Sequence, residues 1–164
     1  MGSEPLVPVQ GFVPDDVFAK HERLFPQVTV DIVVVHSQSF LLVRRSSKNS
    51  NGQGLWATVG GHVRKNETLE GAAVRILERE TGIVAGKSKF DFLGINQYFD
   101  KQVHCVSMVF KTMAPSKSIL LDETSSEYGW FTPQSCPPST ISYYRKMLQL
   151  AGFDDLVAQR ERKA

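Results

Sequence analysis

One short stretch of the sequence, residues 60–83, combines residue types and spacings that could do chemistry. From Leu69 onward its apolar residues recur at intervals of three and four, which predicts an amphipathic helix that ends at Gly82. Glu80 falls within the apolar stripe of that helix, so its carboxylate is aimed at the core. A buried carboxylate needs a partner, and either a divalent cation or an arginine such as Arg75 could serve.

Two adjacent glycines, Gly60 and Gly61, precede this helix. Glycine permits positive φ and close approach of the backbone, so amide or carbonyl groups here could contact a metal ion or a phosphate. His62 follows the glycines directly and is therefore a candidate for binding substrate phosphate. The stretch as a whole indicates a site for a metal ion or a phosphate group.

A second candidate region is an acidic loop that begins at Leu121 and runs into a short aromatic strand. Asp122, Glu123 and Glu127 form the cluster that could complete a metal site or supply a general base. Acidic loop residues are more often simply solvated, and this interpretation stays open.

Strands and helices must position these groups. A first helix is predicted between Pro14 and Pro26, and a last helix from a cap at Ser139 or Thr140 through Ala151. Runs of β-branched and aromatic residues predict five strands, at residues 29–36, 40–45, 55–59, 90–99 and 103–112.

Several strand residues are further candidates for the site. Asp31 interrupts an apolar central strand, where it either pairs locally or faces substrate. Adjacent strand residues point to opposite faces, so only one of Arg44 and Arg45 can face a given cleft and hold phosphate. Tyr98, in the hairpin that follows the central helix, is also taken as a candidate for binding substrate.

Length and composition predict one domain over residues 1–164, with residues 1–12 and 155–164 as flexible or packing tails. The chain has two cysteines, no visible secretory signal and no apolar run of the ~20 residues that a membrane span needs, so we expect a cytoplasmic protein without membrane contact. The formal charge of +2 argues against a nucleic acid polymer as partner. A homodimer is possible through the N-terminal arm.

The central stretch resembles the Nudix box, GX5EX7REUXEEXGU, in which U is a bulky aliphatic residue. The residues at its fixed positions are Gly61, Glu67, Arg75, Leu77, Glu80, Gly82 and Ile83. The resemblance implies the Nudix fold, an α/β fold with a mixed β-sheet sandwiched between α-helices. It also implies that the box binds Mg²⁺ or Mn²⁺ together with a diphosphate.

Two positions depart from the box, since Ile76 and Arg79 stand where the family has glutamates. One interpretation is a degenerate, inactive site. Another is the GDP-mannose mannosyl hydrolase branch, which the chain resembles over most of its length and whose box similarly keeps only the last glutamate. That branch holds its metal with this glutamate, a backbone carbonyl of the glycine pair and a loop side chain, which implies Glu80, Gly60 and Glu123 here.

The same resemblance implies roles for three further residues. Arg45 and Arg75 would be substrate-side or ordering residues, with Arg75 counted among the catalytic candidates. Asp31 would lie near the nucleotide.

The acidic loop differs from that branch, which carries a Gln-His pair as ligand and base where this chain has Thr124 and Ser125. Serine cannot replace histidine as a base near neutral pH. Glu123 or Glu127 would therefore have to supply the base.

The function expected from the sequence is Mg-dependent hydrolysis of a small nucleoside-diphosphate-linked substrate, above all an NDP-sugar. Attack at phosphorus and attack at the sugar carbon are both open. The alternatives are a pyrophosphohydrolase of nucleoside triphosphates or dinucleotides, and a non-catalytic nucleotide-binding module of the same fold.

Overall fold

The computed structural model describes residues 14–48, 52–100 and 103–153. The predicted tails, residues 1–12 and 155–164, lie outside the described residues. The same holds for residues 49–51 of the polar loop after Arg45 and for residues 101 and 102 in the predicted hairpin turn.

Within these ranges the chain forms seven strands and three α-helices. In chain order they are α1 (Asp15–Leu24), β1 (Gln27–His36), β2 (Ser39–Arg45), β3 (Trp56–Ala57), β4 (Val59–His62), α2 (Leu69–Thr81), β5 (Asp91–Asp100), β6 (Val103–Met113), β7 (Ser125–Phe131) and α3 (Ser142–Leu150). None of these helices has both the length and the apolar composition that a membrane span requires.

The strands form one mixed sheet around β1. Its order is β3-β2-β1-β6-β5, with β4 also pairing with β1 and β7 also pairing with β2. The β1–β6 pair is parallel, and the other pairs are antiparallel. Strand β1 is buried over most of its length, as its continuous apolar run predicts.

Helices cover both faces of this sheet, because successive residues of β1 point to opposite sides. Val30, Ile32 and Val34 pack in a cluster with the apolar stripe of α2. Val33 and Val35 pack in a second cluster with Tyr144, Met147 and Leu148 of α3. The predicted sandwich of a mixed sheet between helices is therefore confirmed.

Helix α2 has the boundaries that its sequence predicts. The Thr68 hydroxyl caps its start by accepting a hydrogen bond from the Gly71 N–H at 3.0 Å. Gly82 ends it with a left-handed backbone, φ 70°. This register buries Glu80 together with the apolar stripe.

Three local predictions are corrected. The strand predicted at residues 55–59 is two short strands, β3 and β4, and the glycine pair belongs to β4. Helix α3 begins at Ser142 after Ile141, which provides no side-chain cap. The Thr140 hydroxyl instead donates to the Pro137 carbonyl at 2.7 Å, so it stabilises the preceding turn. Strand β7 begins at Ser125, inside the segment predicted to be a loop.

Candidate functional site

Gly60 and Gly61 are adjacent in β4, so side chains at these two positions would point to opposite faces of the sheet. A Cβ atom on Gly60 would lie 2.2 Å from Oδ1 of Asp31, on the α3 side. A Cβ atom on Gly61 would lie 3.4 Å from Cδ1 of Ile76 and 3.5 Å from Nη2 of Arg79, on the α2 side. Neither glycine has a positive φ. Of the two properties that glycine permits, the pair uses close approach of neighbouring side chains and not a positive φ.

The loop between the glycine pair and α2 is held by Glu67 and Arg75. The Arg75 guanidinium donates to both oxygens of Glu67, at 2.6 and 2.7 Å, and to the carbonyl of His62 at 3.0 Å. Glu67 also accepts from the Arg64 N–H at 2.9 Å. Burial opposes ionisation of Glu67, but these donors outweigh it and lower the pKa of its carboxyl. Arg75 thus orders the loop, which is one of the two roles that the resemblance implies.

Glu80 is buried, with 6% of its surface exposed. Its Oε2 accepts from the Gly60 N–H at 3.3 Å, and its Oε1 accepts from Nη2 of the neighbouring Arg79. Nε of Arg79 lies 3.5 Å from Oδ2 of Asp122. We call Arg79, Glu80 and Asp122 the guanidinium cluster. The partner of Glu80 is therefore Arg79, and the expectation of Arg75 as its arginine partner is wrong.

Burial raises the pKa of Glu80 to about 7, against the opposing effect of the Arg79 charge. Asp122, the third member of the cluster, adds to the increase because it is a second acid nearby. A single cation in this cluster therefore faces two acids.

The predicted metal site of Gly60, Glu80 and Glu123 stays a prediction. The described residues contain no group of three or more His, Cys, Asp or Glu residues placed to hold an ion. Both carboxylate oxygens of Glu80 already accept hydrogen bonds, and Gly60 contributes its N–H to that contact. The guanidinium of Arg79 bonds Glu80 and pairs with Asp122, where a divalent cation would need the same oxygens. As arranged, these residues do not fit a bound divalent cation.

Asp122 is the member of the guanidinium cluster that comes from the acidic loop. Its side chain is 17% exposed. Oδ1 accepts from the Thr124 N–H at 3.0 Å and from the Thr124 hydroxyl. These contacts fix the carboxylate, which leaves Oδ2 directed at Arg79.

The two glutamates of the loop lie in other surroundings. Glu123 pairs with Lys48, and Glu127 pairs with Arg44 Nη1 at 3.2 Å. The side chains of the two glutamates are 70% and 54% exposed. No described contact joins either of them to Glu80. Their roles as base or, for Glu123, as metal ligand stay predictions.

Asp31 lies on the opposite side of the glycine pair and is 3% exposed. Its Oδ2 accepts from the Ser107 hydroxyl at 2.5 Å, and its Oδ1 accepts from the Thr58 hydroxyl at 3.3 Å. We call these three residues the hydroxyl cluster. Burial raises the pKa of Asp31 to about 6, although both hydroxyls and the charge of Arg45 oppose the increase. Asp31 thus pairs locally, and its burial argues against direct contact with substrate.

The remaining strand candidates also face α3. Arg45 is half-buried and close enough to Asp31 to oppose the increase in its pKa. Tyr98 stacks on Tyr143 of α3 with ring centroids 3.8 Å apart. Arg44, the exposed neighbour of Arg45, donates to the Gly54 carbonyl at 3.0 Å and pairs with Glu127. The structure brings Arg45 and Tyr98 toward Asp31 and away from the guanidinium cluster.

His62 is exposed overall, but its ring packs edge-on against Phe18 with centroids 5.0 Å apart. Partial burial of the ring lowers its pKa, and the charges of His21 and Arg79 lower it further. A neutral imidazole at neutral pH can donate or accept a hydrogen bond, but it does not offer a positive charge to phosphate.

Three residues that complete these clusters are absent from the predicted set of site residues. Arg79 could have been predicted from the sequence, since it places a cation beside a buried acid in the last turn of α2. Thr58 and Ser107 could not have been, because their contacts with Asp31 depend on how the strands pair.

Comparison with known proteins places these features in context. A family model described as the NUDIX domain matches residues 25–151. The low-salt glycan biosynthesis protein Agl8 of Haloferax volcanii is 37% identical over 71 residues, which are 43% of this chain and 44% of that protein. The ADP-ribose pyrophosphatase of Methanocaldococcus jannaschii is 37% identical over 89 residues, which are 53% of this chain and 50% of that protein. The chain thus spans about half the length of these curated relatives.

Among solved structures, the MutT NUDIX hydrolase from Burkholderia pseudomallei is similar, with a TM-score of 0.69 and 26% sequence identity. The likeness covers 77% of this chain and 98% of that chain. The names of the ADP-ribose pyrophosphatase and of the MutT NUDIX hydrolase agree with the predicted enzyme class, a hydrolase. Nudix hydrolases generally use divalent metal ions.

Proposed function

This chain belongs to the Nudix family, and we propose that it is a hydrolase of a small substrate that contains a nucleoside diphosphate. The names of its relatives support this class. One relative is named for the hydrolysis of ADP-ribose, in which a diphosphate links a nucleoside to a sugar.

The finer proposal is an NDP-sugar substrate, as in the GDP-mannose mannosyl hydrolase branch that the sequence resembles. A relative named for glycan biosynthesis supports a sugar-linked substrate. A nucleoside triphosphate or a dinucleotide, cleaved at phosphorus, is the alternative within the same enzyme class.

The observation that carries the proposal is the set of hydrogen bonds that holds the loop between the glycine pair and α2, here called the glycine loop. Glu67 and Arg75 join the start of α2 to the His62 carbonyl through three hydrogen bonds of the guanidinium. A bidentate charged pair of this kind fixes geometry as well as adding stability. The loop beside the buried Glu80 is therefore held in one conformation before substrate binds, which a catalytic site requires.

In this proposal the acidic loop supplies the base that activates water. Asp122 is best placed beside the guanidinium cluster, while Glu123 and Glu127 remain candidates because both are accessible to solvent. His62 would donate a hydrogen bond to substrate from the edge of the glycine loop. Arg45, Asp31 and Tyr98 would support the site from the α3 side.

The proposed cation is Mg²⁺ or Mn²⁺ that accompanies the diphosphate from solution. Mg²⁺ commonly keeps several waters and binds through substrate phosphates together with one or two carboxylates. Because the described residues offer no preformed cation site, the ion enters with the substrate rather than as a resident group.

One observation favours a different function, a non-catalytic nucleotide-binding module. Two box positions that carry glutamates in the family are Ile76, which is fully buried, and Arg79, which pairs with Glu80. A chain that lost catalytic carboxylates while keeping the loop support would still bind a diphosphate.

A substrate panel separates these functions. The purified chain is incubated with NDP-sugars, ADP-ribose, nucleoside triphosphates and dinucleotides, each with Mg²⁺, with Mn²⁺ and with a chelator, and products are identified by mass spectrometry. We expect turnover of at least one NDP-sugar. Melting temperatures are recorded for every compound in parallel.

Two matched variants, Asp122→Asn and Glu123→Gln, each remove one carboxylate from neighbouring positions of the acidic loop. We expect Asp122→Asn to lower turnover by about 10²-fold or more, the usual contribution of a general base, and Glu123→Gln to have little effect. Absence of turnover over the whole panel, with one nucleotide raising the melting temperature, would replace the hydrolase with the binding module.

The wider surroundings of the chain are also proposals. We propose a cytoplasmic protein without nucleic acid polymer or membrane partners, and a possible homodimer. The N-terminal arm that was expected to pair two subunits lies outside the described residues. Light scattering during size-exclusion chromatography measures the mass in solution and decides between monomer and dimer.

A further inference from the structure

The guanidinium cluster resembles a metal site in one respect: two carboxylates lie around a positive charge. Here the positive charge belongs to the Arg79 side chain. The carboxylates of Glu80 and Asp122 approach Arg79 from two directions. The Glu80 side chain is 8% exposed, that of Asp122 17% and that of Arg79 33%. One oxygen from each acid therefore lies beside the positive charge, as ligand oxygens lie beside a bound metal ion.

The surroundings hold the guanidinium in this place. Nη2 of Arg79 lies 3.5 Å from the Cβ position that Gly61 leaves empty, so the arginine packs on the glycine backbone. Asp122 is fixed by two hydrogen bonds from Thr124. Glu80 is fixed by the Gly60 N–H.

The chemistry of arginine suits a permanent cation. A guanidinium stays charged at any physiological pH and gives its charge to carboxylates through directed hydrogen bonds. A divalent ion at the same oxygens would meet a positive charge already in contact with them. It would have to displace Arg79 into solvent and leave its own water shell at the same time.

We propose that Arg79 takes the place of a protein-bound divalent cation at Glu80. Arg79 pairs with both acids and keeps the glycine pair and the acidic loop together without a metal ion. While Arg79 is present, the chain binds no divalent cation at this position. The inference concerns the cluster itself and holds whether or not the chain is a hydrolase.

The test is a titration of Mn²⁺ alone, without nucleotide, in which electron paramagnetic resonance measures the free ion. For the unchanged chain we expect no site tighter than millimolar, and no change in Glu80→Gln. Arg79→Gln, which keeps length and removes charge, should gain a site at least tenfold tighter. That gain should disappear in the double variant Arg79→Gln with Glu80→Gln.

Arg23→Gln is the matched control, because it removes one arginine charge from an exposed position of α1. It should leave Mn²⁺ binding unchanged. The proposal is overturned if the unchanged chain binds Mn²⁺ at micromolar concentration and Glu80→Gln abolishes that binding. It is also overturned if a folded Arg79→Gln gains no affinity. Circular dichroism reports folding, and if Arg79→Gln does not fold, the comparison of the unchanged chain with Glu80→Gln decides.

Discussion

The two faces of the glycine pair each hold one buried carboxylate, and different chemistry stabilises the two groups. Asp31, on the α3 side, accepts hydrogen bonds from two hydroxyls and is 3% exposed. Glu80, on the α2 side, is 6% exposed but bonds an arginine whose side chain is one-third exposed. The hydroxyl cluster is closed, whereas the guanidinium cluster opens to solvent at its cation.

From this difference we infer that the α3 side serves structure and that the α2 side serves chemistry. A carboxylate enclosed by hydroxyls from neighbouring strands fixes how those strands pair. A carboxylate that positions a partly exposed charge can act on a ligand. We therefore expect stability to depend most on the α3 side of the glycine pair and activity most on the α2 side.

The largest expected effect comes from adding one methyl group at each glycine. Gly60→Ala should lower the free energy of unfolding by about 3 to 4 kcal/mol, because its Cβ would meet Oδ1 of Asp31 at 2.2 Å. Gly61→Ala should change it by less than about 1 kcal/mol, because its nearest contacts are at ordinary distances of 3.4 and 3.5 Å. Urea denaturation of the two variants measures the difference.

A double variant checks the cause of that loss. Adding Asp31→Ala to Gly60→Ala removes the clashing oxygen, so the two losses should be strongly non-additive. Equal losses from Gly60→Ala and Gly61→Ala would contradict the assignment of the two faces.

The next effect concerns pH on the α3 side. The pKa of Asp31 rises from 3.8 to about 6 on folding, so its stabilising contribution is complete below pH 3.8 and is lost as pH rises through 6. The loss amounts to about 3 kcal/mol. Asparagine cannot ionise, so Asp31→Asn should lack this pH-dependent loss of stability. The stability difference between the two proteins, measured at steps from pH 4 to 7, isolates Asp31 because Glu80 titrates in both. A constant difference would mean that Asp31 keeps its ordinary pKa.

The stability that each cluster contributes should depend differently on salt concentration. Arg79→Gln should cost about 1 to 2 kcal/mol at low ionic strength, and this cost should shrink in 1 M NaCl, where screening acts within about 3 Å. Ser107→Ala, which removes a hydroxyl donor from a fully buried site, should cost a similar amount at both salt concentrations. Equal salt dependence of the two variants would remove the distinction between a charged and a neutral cluster.

The smallest effect is expected at the exposed acid next to Asp122. Glu123→Gln should change the free energy of unfolding by less than about 0.5 kcal/mol, because its pair with Lys48 lies in solvent. Thermal unfolding with Asp122→Asn as the companion variant measures this. A loss larger than that of Asp122→Asn would show that Glu123 belongs to the folded site.

Much of the fold could be predicted from the sequence, since hydrophobic periodicity is local. The spacing of apolar residues in α2 and its glycine stop predicted the helix and the burial of Glu80, and the structure confirms both. The resemblance to the Nudix family is confirmed by the family match. The cap of α3 was wrong because Thr140 bonds the Pro137 carbonyl in a turn that the sequence signal does not distinguish from a cap.

The site was harder to predict because its contacts are not periodic. The partner of Glu80 is its own neighbour Arg79, which packs against Gly61, whereas the sequence offered a divalent cation or an arginine such as Arg75. The two hydroxyl partners of Asp31 come from β6 and from the break between β3 and β4, so they depend on strand pairing. GDP-mannose specificity stays a proposal.

Hydrolysis in water enriched in ¹⁸O tests the proposed function most directly. The unchanged chain and Glu80→Gln are incubated with the NDP-sugar that the panel selects, and mass spectrometry locates the label in the products. We expect the unchanged chain to place one ¹⁸O in a single product, on phosphate for attack at phosphorus or on the sugar for attack at carbon. Glu80→Gln should be slower by about 10²-fold or more, because the variant loses the charged carboxylate that holds Arg79 beside the glycine pair, and small displacements of a site can cost this much. Unlabelled products, or equal rates for the two proteins, would contradict a hydrolase organised around the glycine pair and Glu80.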